Sequence, residues 1–353
     1  MRRYEDETMA PLPLTLPPGE RQIVPIVQDE STFHANDQKR DAWLAQGSQP
    51  LRRKGFGRAV HVSDFLCEDS RSGRLSFTDD QWARLCASGP PSVRKDARVV
   101  TYPGKGHDKW WDGEQLLKQT KEAIEIFNYL FPNCIGLWIF DCSSAHEAFA
   151  KDALNINKMN VKPGGKNVPS MHNTVIPWTN PDPPPGVPDS RGSIQSMNYP
   201  IDYHNETLRG KPKGILAVLR ERTNVWAELE RRTGGKVPGI CHNCSLSQAK
   251  RDAAVRVATA ELNGLAPNEQ DEEAALTGEG ESAVDAWCCA KRVLSLQEDF
   301  QTEKPELQIL IENAGHICIF LPKFHCELNP IELYWGYAKY SKSILLYFIV
   351  IHN

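Results

Sequence analysis

Short apolar runs of strand length alternate with amphipathic stretches through the first half of the chain. Ile23-Val24-Pro25-Ile26-Val27 is a β-branched run that predicts a buried strand ending at Asp29-Glu30-Ser31. Arg58 to Phe65 alternates loosely and predicts a second strand, and Arg98 to Tyr102 a third. Between Glu114 and Leu130, residues Leu116, Leu117, Ala123, Ile124, Phe127 and Leu130 recur at helical spacing. Pro132 and Asn133 close that helix. Ile135 to Phe140 is then almost continuously apolar and stops abruptly at Asp141, and a helix is expected over Glu147 to Met159.

The pattern changes after residue 160. Pro163-Gly164-Gly165, the run from Pro181 to Gly186, and Pro188 leave little periodicity, which predicts a long loop over 160–212. Helices are expected at Leu216–Leu229 and Ser247–Leu262. The acidic run Glu269–Glu281 and the proline-rich run carry too little apolar surface to pack well. Order returns with a helix at Leu307–Glu312 capped by Ala314-Gly315, a strand at His316–Leu321, and a helix opening at Pro330. Together these elements predict an α/β layer, a mixed sheet flanked by helices and interrupted by a large helical, loop-rich insertion. Connection rules put the Ile23 and Ile135 strands at its centre. The expected divisions are a lead-in at 1–20, a first core segment at 21–160, an insertion at 161–302, a last core segment at 303–342 and a tail at 343–353.

With 353 residues, 40% of them hydrophobic, the chain can bury a substantial core. Its formal net charge of -4 excludes nucleic-acid binding through bulk charge alone, although Arg52 to Arg58 forms a local basic run. Ten cysteines without an apolar leader point to a reducing compartment, with thiols free or metal-bound. The most apolar run, Ile344–Ile351, falls short of the roughly 20 residues a membrane span needs, so no membrane partner is expected. Cys241-His-Asn-Cys244 with Cys288-Cys289 is a candidate structural zinc site. Adjacent cysteines are awkward joint ligands of one ion, so His242, His316 and Cys318 are alternative donors, and buried free thiols are the competing reading.

Three acids stand out. Asp29 and Asp141 follow apolar strands, and Glu332 lies on the first turn of a helix. Rigid elements hold such carboxylates in place. Three of them converging would repel and take up protons, a conflict that two hard divalent cations, Mg²⁺ or Mn²⁺, resolve. Such a pair, about 3.5–4 Å apart, activates an attacking oxygen and stabilises the leaving one at a phosphodiester. Glu30 and Glu327 are neighbouring alternatives. Asp112 is a rival first acid whose plainer reading is a helix N-terminal residue. His146 reads as structural or phosphate-contacting.

Asp29-Glu-Ser-Thr-Phe33, with Trp43 and Gly47 beyond it, resembles the first-aspartate element of mariner-like DDE transposases. Phe140-Asp141-Cys-Ser-Ser-Ala-His146 is similar to that family's second motif. Leu321-Pro322 with Glu327-Leu-Asn-Pro-Ile-Glu332-Leu-Tyr-Trp335-Gly336 resembles its third. The resemblance implies an RNase H-like fold and metal-dependent DNA cleavage and strand transfer at transposon ends. It implies Asp29, Asp141 and Glu332 as catalytic metal ligands for two Mg²⁺ or Mn²⁺ ions. It further implies DNA as partner (transposon ends and target), a homodimer as the candidate assembly and the nucleus as the location. The long gap between the second and third acids matches a form of DDE endonuclease common in fungal genomes. Cys142 replaces the family's Asn after the second aspartate. The family's amino-terminal helix-turn-helix has no counterpart here and the tail after Lys342 departs from its pattern, so a truncated chain is expected. The alternative is a catalytically inactive, transposon-derived remnant that binds DNA or protein.

Overall fold

The computed structural model describes residues 4–8, 10, 12, 15–36, 55–68, 70, 73–143, 145–245, 253, 256–257, 285–323 and 325–351, the side chains of 342–351 excepted. Trp43, Gly47, the basic residues Arg52 to Lys54, the acidic run Glu269–Glu281 and most of the expected Ser247–Leu262 helix lie outside the described residues. The chain divides into two compact units. One comprises Met1–Ala148 and Lys304–Asn353, the other Phe149–Glu303.

A five-stranded mixed sheet organises the first unit. Its order is β3 (Val99–Thr101), β2 (Ala59–Cys67), β1 (Ile23–His34), β4 (Ile135–Phe140) and β7 (Ile317–Phe320). The first three strands pair antiparallel, while β1, β4 and β7 run parallel. Alternation along the strands sorts residues onto two faces. On one face Val24, Ile26, Phe65, Trp138 and Phe140 pack against Leu116, Ala123, Ile124 and Phe127 of α2 (Gly113–Leu130) and Leu307 and Ile311 of α7 (Glu306–Asn313). On the other face Val27 and Ile139 meet Ile331 and Trp335 of α8 (Ile331–Ile351). The sheet is thus covered by helices on both sides, as an α/β fold requires.

Several elements differ from the sequence reading. Strand β1 does not end at Asp29 but runs through it, because Ser31, Thr32 and Phe33 keep strand propensity and pair with Val62, His61 and Val60 of β2. Helix α1 (Asp79–Ala87) was not expected. It buries no residue fully, although Trp82 and Leu85 pack against the core, and Thr78 and Gln81 form a reciprocal capping box at its start. Asp112 is the N-cap of α2, accepting from the Gln115 N–H, so its role is structural.

The second unit has its own core of Met159, Met171, Met197, Ile215, Val218, Leu219, Val225, Leu229, Val293 and Leu294. The helix expected over Glu147 to Met159 is absent. Turns and a 3₁₀ turn at Ile156–Lys158 replace it, with the Asn155 side chain accepting from the Asn157 N–H. A two-strand ladder, β5 (Thr174–Val175) with β6 (Ile194–Gln195), interrupts the long irregular stretch. The helix expected at Leu216–Leu229 is two, α3 (Ile215–Glu221) and α4 (Thr223–Arg232), divided at Arg222 with φ -86° and ψ 70°. The Arg222 guanidinium is fully buried and bonds Gln195, Gln297 and Asp299, which explains why the backbone leaves the helix there. Helices α5 (Ala290–Ser295) and α6 (Glu298–Gln301) complete the unit. The proline-rich run is better anchored than its composition suggested. Asn224 donates to the Pro181 carbonyl at 3.0 Å, and Thr223 donates to the Pro188 carbonyl.

Candidate functional site

Asp141 directly follows the last residue of β4, the parallel neighbour of β1. Val27 and Ile139 are register partners on the α8 side of the sheet, so Asp29, two residues further along β1, projects to that side. Glu332 enters there on the first turn of α8. Asn329 fixes that helix start. Its Nδ2 donates to the Gln28 carbonyl at 3.0 Å, and its Oδ1 accepts from the Ile331 N–H at 3.5 Å. Pro330 then occupies the first turn, where its missing N–H costs nothing.

Asp29 feels the charges of its acidic neighbours. Burial raises the Asp29 carboxyl to about 7, and the charges of Glu30, Glu332 and Asp141 push it the same way. The Glu30 backbone N–H partly offsets them. Asp29 is buried, Asp141 is half-buried and Glu332 is exposed, so the group opens toward solvent at the helix end. The three do not bring their carboxylate oxygens within 4.8 Å of one another. Among the described residues, the four cysteines discussed below are the one group of three or more His, Cys, Asp or Glu whose donor atoms all come that close.

His146 sits behind the acids. Its ring is buried against Phe140, with centroids 5.4 Å apart. Nδ1 contacts the Asp141 carboxylate and the Asp141 carbonyl, the latter at 3.0 Å. Nε2 faces Glu30 Oε2 at 3.7 Å. Burial disfavours a charged ring, but hydrogen bonds and charges from Asp141 and Glu30 outweigh it and raise His146 to about 10. Glu30 also accepts from Gln28 and from Trp111 Nε1, each at 3.0 Å. Burial opposes its charge, yet the bonds from His146, Gln28 and Trp111 hold its carboxyl below the usual value. Glu30 is therefore a partner of His146. Glu327 is exposed and pairs with His325. Sequence reasoning missed Trp111 and Asn329 as parts of the site. The Asn-Pro step before an apolar helix was a legible signal for Asn329, whereas nothing in the sequence links Trp111 to Glu30.

The second unit carries a different cluster. Cys241, Cys244, Cys288 and Cys289 converge, although two are adjacent in sequence. Cys288 closes a turn from Asp285, and Cys289 follows in extended backbone, which turns both sulfurs to one side. Burial and the neighbouring thiols raise Cys244 to about 11 and Cys288 further, while the Cys241 thiol, despite burial, is lowered by the Cys244 N–H. The cluster can hold a metal ion. His316, considered as a donor, instead accepts from the Gly136 N–H at 3.2 Å within the first unit, and Cys318 is buried in that unit's core.

No protein family model, curated protein or solved structure matches this chain. No described helix is long and apolar enough to cross a membrane.

Proposed function

We propose that the chain is the catalytic core of a mariner-like DDE transposase, cutting DNA phosphodiesters with two Mg²⁺ or Mn²⁺ ions held by Asp29, Asp141 and Glu332. The observation that carries this reading is placement: Asp29 on β1, Asp141 directly after the parallel neighbour β4, and Glu332 on the first turn of the helix packed over Val27, with Asp29 buried and raised by burial and by the nearby acids. A buried carboxylate facing two others is a poor structural device and a good site for hard cations. The all-oxygen donor set fits those ions. The three sequence motifs support the same family, and the mixed sheet with helices on both faces is compatible with the RNase H-like fold that the resemblance implies.

When bound, the ions supply Lewis acidity at the scissile phosphate. The protein's own residues prepare the ground. β1 fixes Asp29 in its ladder with β2, opposite Asp64, His146 orients Asp141, and Asn329 sets the start of the helix that carries Glu332. DNA is the partner this chemistry requires, and the nucleus is the location it implies.

Plasmid nicking in Mn²⁺ tests the proposal, with wild type compared to Asp141→Asn and Glu332→Gln after a folding check on each. Metal-dependent nicking that both variants lose supports the enzyme. Equal nicking by all three proteins overturns the assignment. No nicking by folded, Mn²⁺-loaded wild type favours the inactive remnant.

A further inference from the structure

We propose that Cys241, Cys244, Cys288 and Cys289 bind one Zn²⁺ as a tetrathiolate, and that this site is a folding element of the second unit independent of the carboxylates.

The spacing of the sulfurs carries the inference. Cys241 Sγ lies 3.5 Å from Cys288 Sγ, Cys244 Sγ 3.7 Å from Cys288 Sγ, and Cys288 Sγ 3.8 Å from Cys289 Sγ. A tetrahedral ion with Zn–S bonds of about 2.3 Å sets its sulfurs roughly 3.8 Å apart. A disulfide would need about 2.05 Å, and all four cysteines are free. Three of the six edges lie at the tetrahedral distance and all four sulfurs lie within 4.8 Å of one another, which matches a closed structural site with no position left for a substrate or water.

The surroundings fit the charge. Zinc with four thiolates carries two negative charges. The Arg292 N–H donates to Cys289 Sγ at 3.4 Å, and Arg292 Nε is buried without a hydrogen-bond partner. The next residue back, Lys291, is itself buried. Two cationic residues thus lie two and three positions after the last ligand, and backbone N–H groups such as that of Arg292 orient and stabilise metal-bound sulfur.

The backbone shows what the site joins. Ala290 N donates to the Pro238 carbonyl and Lys291 N to the Gly239 carbonyl, each at 2.9 Å. These bonds and the cysteines tie the segment ahead of Cys241 to the start of α5, across the 44 positions that separate Cys244 from Cys288. Val293 and Leu294 of α5 belong to the unit's core, so a metal there couples loop closure to core packing.

The test uses the full chain. Metal analysis of protein expressed with zinc should give one Zn²⁺ per molecule. Exchange to Co²⁺ should give the visible and thiolate charge-transfer bands of a tetrahedral sulfur site. Cys241→Ser and Cys288→Ser should lose the metal. Should those variants fail to fold, the Co²⁺ spectrum of wild type still decides. Asp141→Asn should keep its zinc, which separates this proposal from the DNA-cleavage reading. Zinc-free wild type with four freely titrating thiols and no Co²⁺ spectrum overturns it. So does Cys289→Ser that keeps full zinc affinity, since the site would then hold three thiolates.

Discussion

Asn329 Nδ2 donates to the Gln28 carbonyl at 3.0 Å, joining residues 301 positions apart in sequence. The bond ties the strand residue before Asp29 to the loop that launches Glu332, so two of the three acids depend on it for their relative position. Asn329 is 1% exposed, and its loss strands a buried carbonyl. Asn329→Ala should therefore cost about 1–3 kcal/mol of stability. Asn329→Asp keeps the size and the acceptor facing the Ile331 N–H but, when ionised, cannot donate to Gln28. Both variants should lower the urea midpoint and weaken metal-dependent nicking. An Asp variant as stable as wild type would show that the bond contributes nothing.

His146 makes a second expectation. It is the buried cation between Glu30 and Asp141. Replacing it with Gln leaves both carboxylates without their cationic partner, a change that typically costs roughly 3–5 kcal/mol for a buried pair. The sign of the pH effect follows from its pKa, about 10 against an ordinary 6.5. The stabilisation is fully present below 6.5 and is lost as pH rises through 10. Wild type should lose stability over that window, and His146→Gln should lose less. Denaturation midpoints at several pH values measure the difference, and parallel curves for the two proteins would refute it.

What the sequence could and could not reveal follows from range. The β4 strand and its end at Asp141 were legible because a continuous apolar run broken by a charge is a local signal. The start of α8 was legible from Asn-Pro for the same reason. The extension of β1 past Asp29 was not, because pairing with β2 decides it. The break at Arg222 was hidden inside an apolar period that favours one helix, and only burial of its guanidinium beside Asp299 explains it. The four cysteines illustrate the same limit. Adjacency of Cys288 and Cys289 argued against a shared ion until a turn at one and extended backbone at the other brought their sulfurs together.

Arg222 offers a test confined to the second unit. Its guanidinium donates to both Asp299 oxygens, at 2.9 and 2.6 Å, and to Gln195 and Gln297. Arg222→Met keeps much of the apolar volume but leaves Asp299 without its cation. The expected loss is again on the order of 3–5 kcal/mol. Arg222→Met with Asp299→Leu should recover much of it, because an apolar pair removes the stranded charge. A double variant no better than the single would show that packing, rather than the ion pair, sets the cost.

Asp29 gives the pH test of the carboxylate site. Its pKa is about 7 in the folded protein against an ordinary 3.8, so the folded state holds the proton more tightly than the unfolded one. Stability should then fall as pH rises from 3.8 to about 7 and level off above, opposite to the behaviour of a salt-bridged aspartate. Asp29→Asn removes the buried charge and should raise the metal-free melting midpoint at pH 8, with little change near pH 4. Mn²⁺ competes with that proton. It should stabilise wild type more at pH 8 than at pH 5, and it should stabilise Asp29→Asn far less at either. Thermal melts of both proteins with and without Mn²⁺ measure all four conditions. Equal Mn²⁺ stabilisation of the two proteins at pH 8 would remove Asp29 from the metal site, whatever the nicking assay reports.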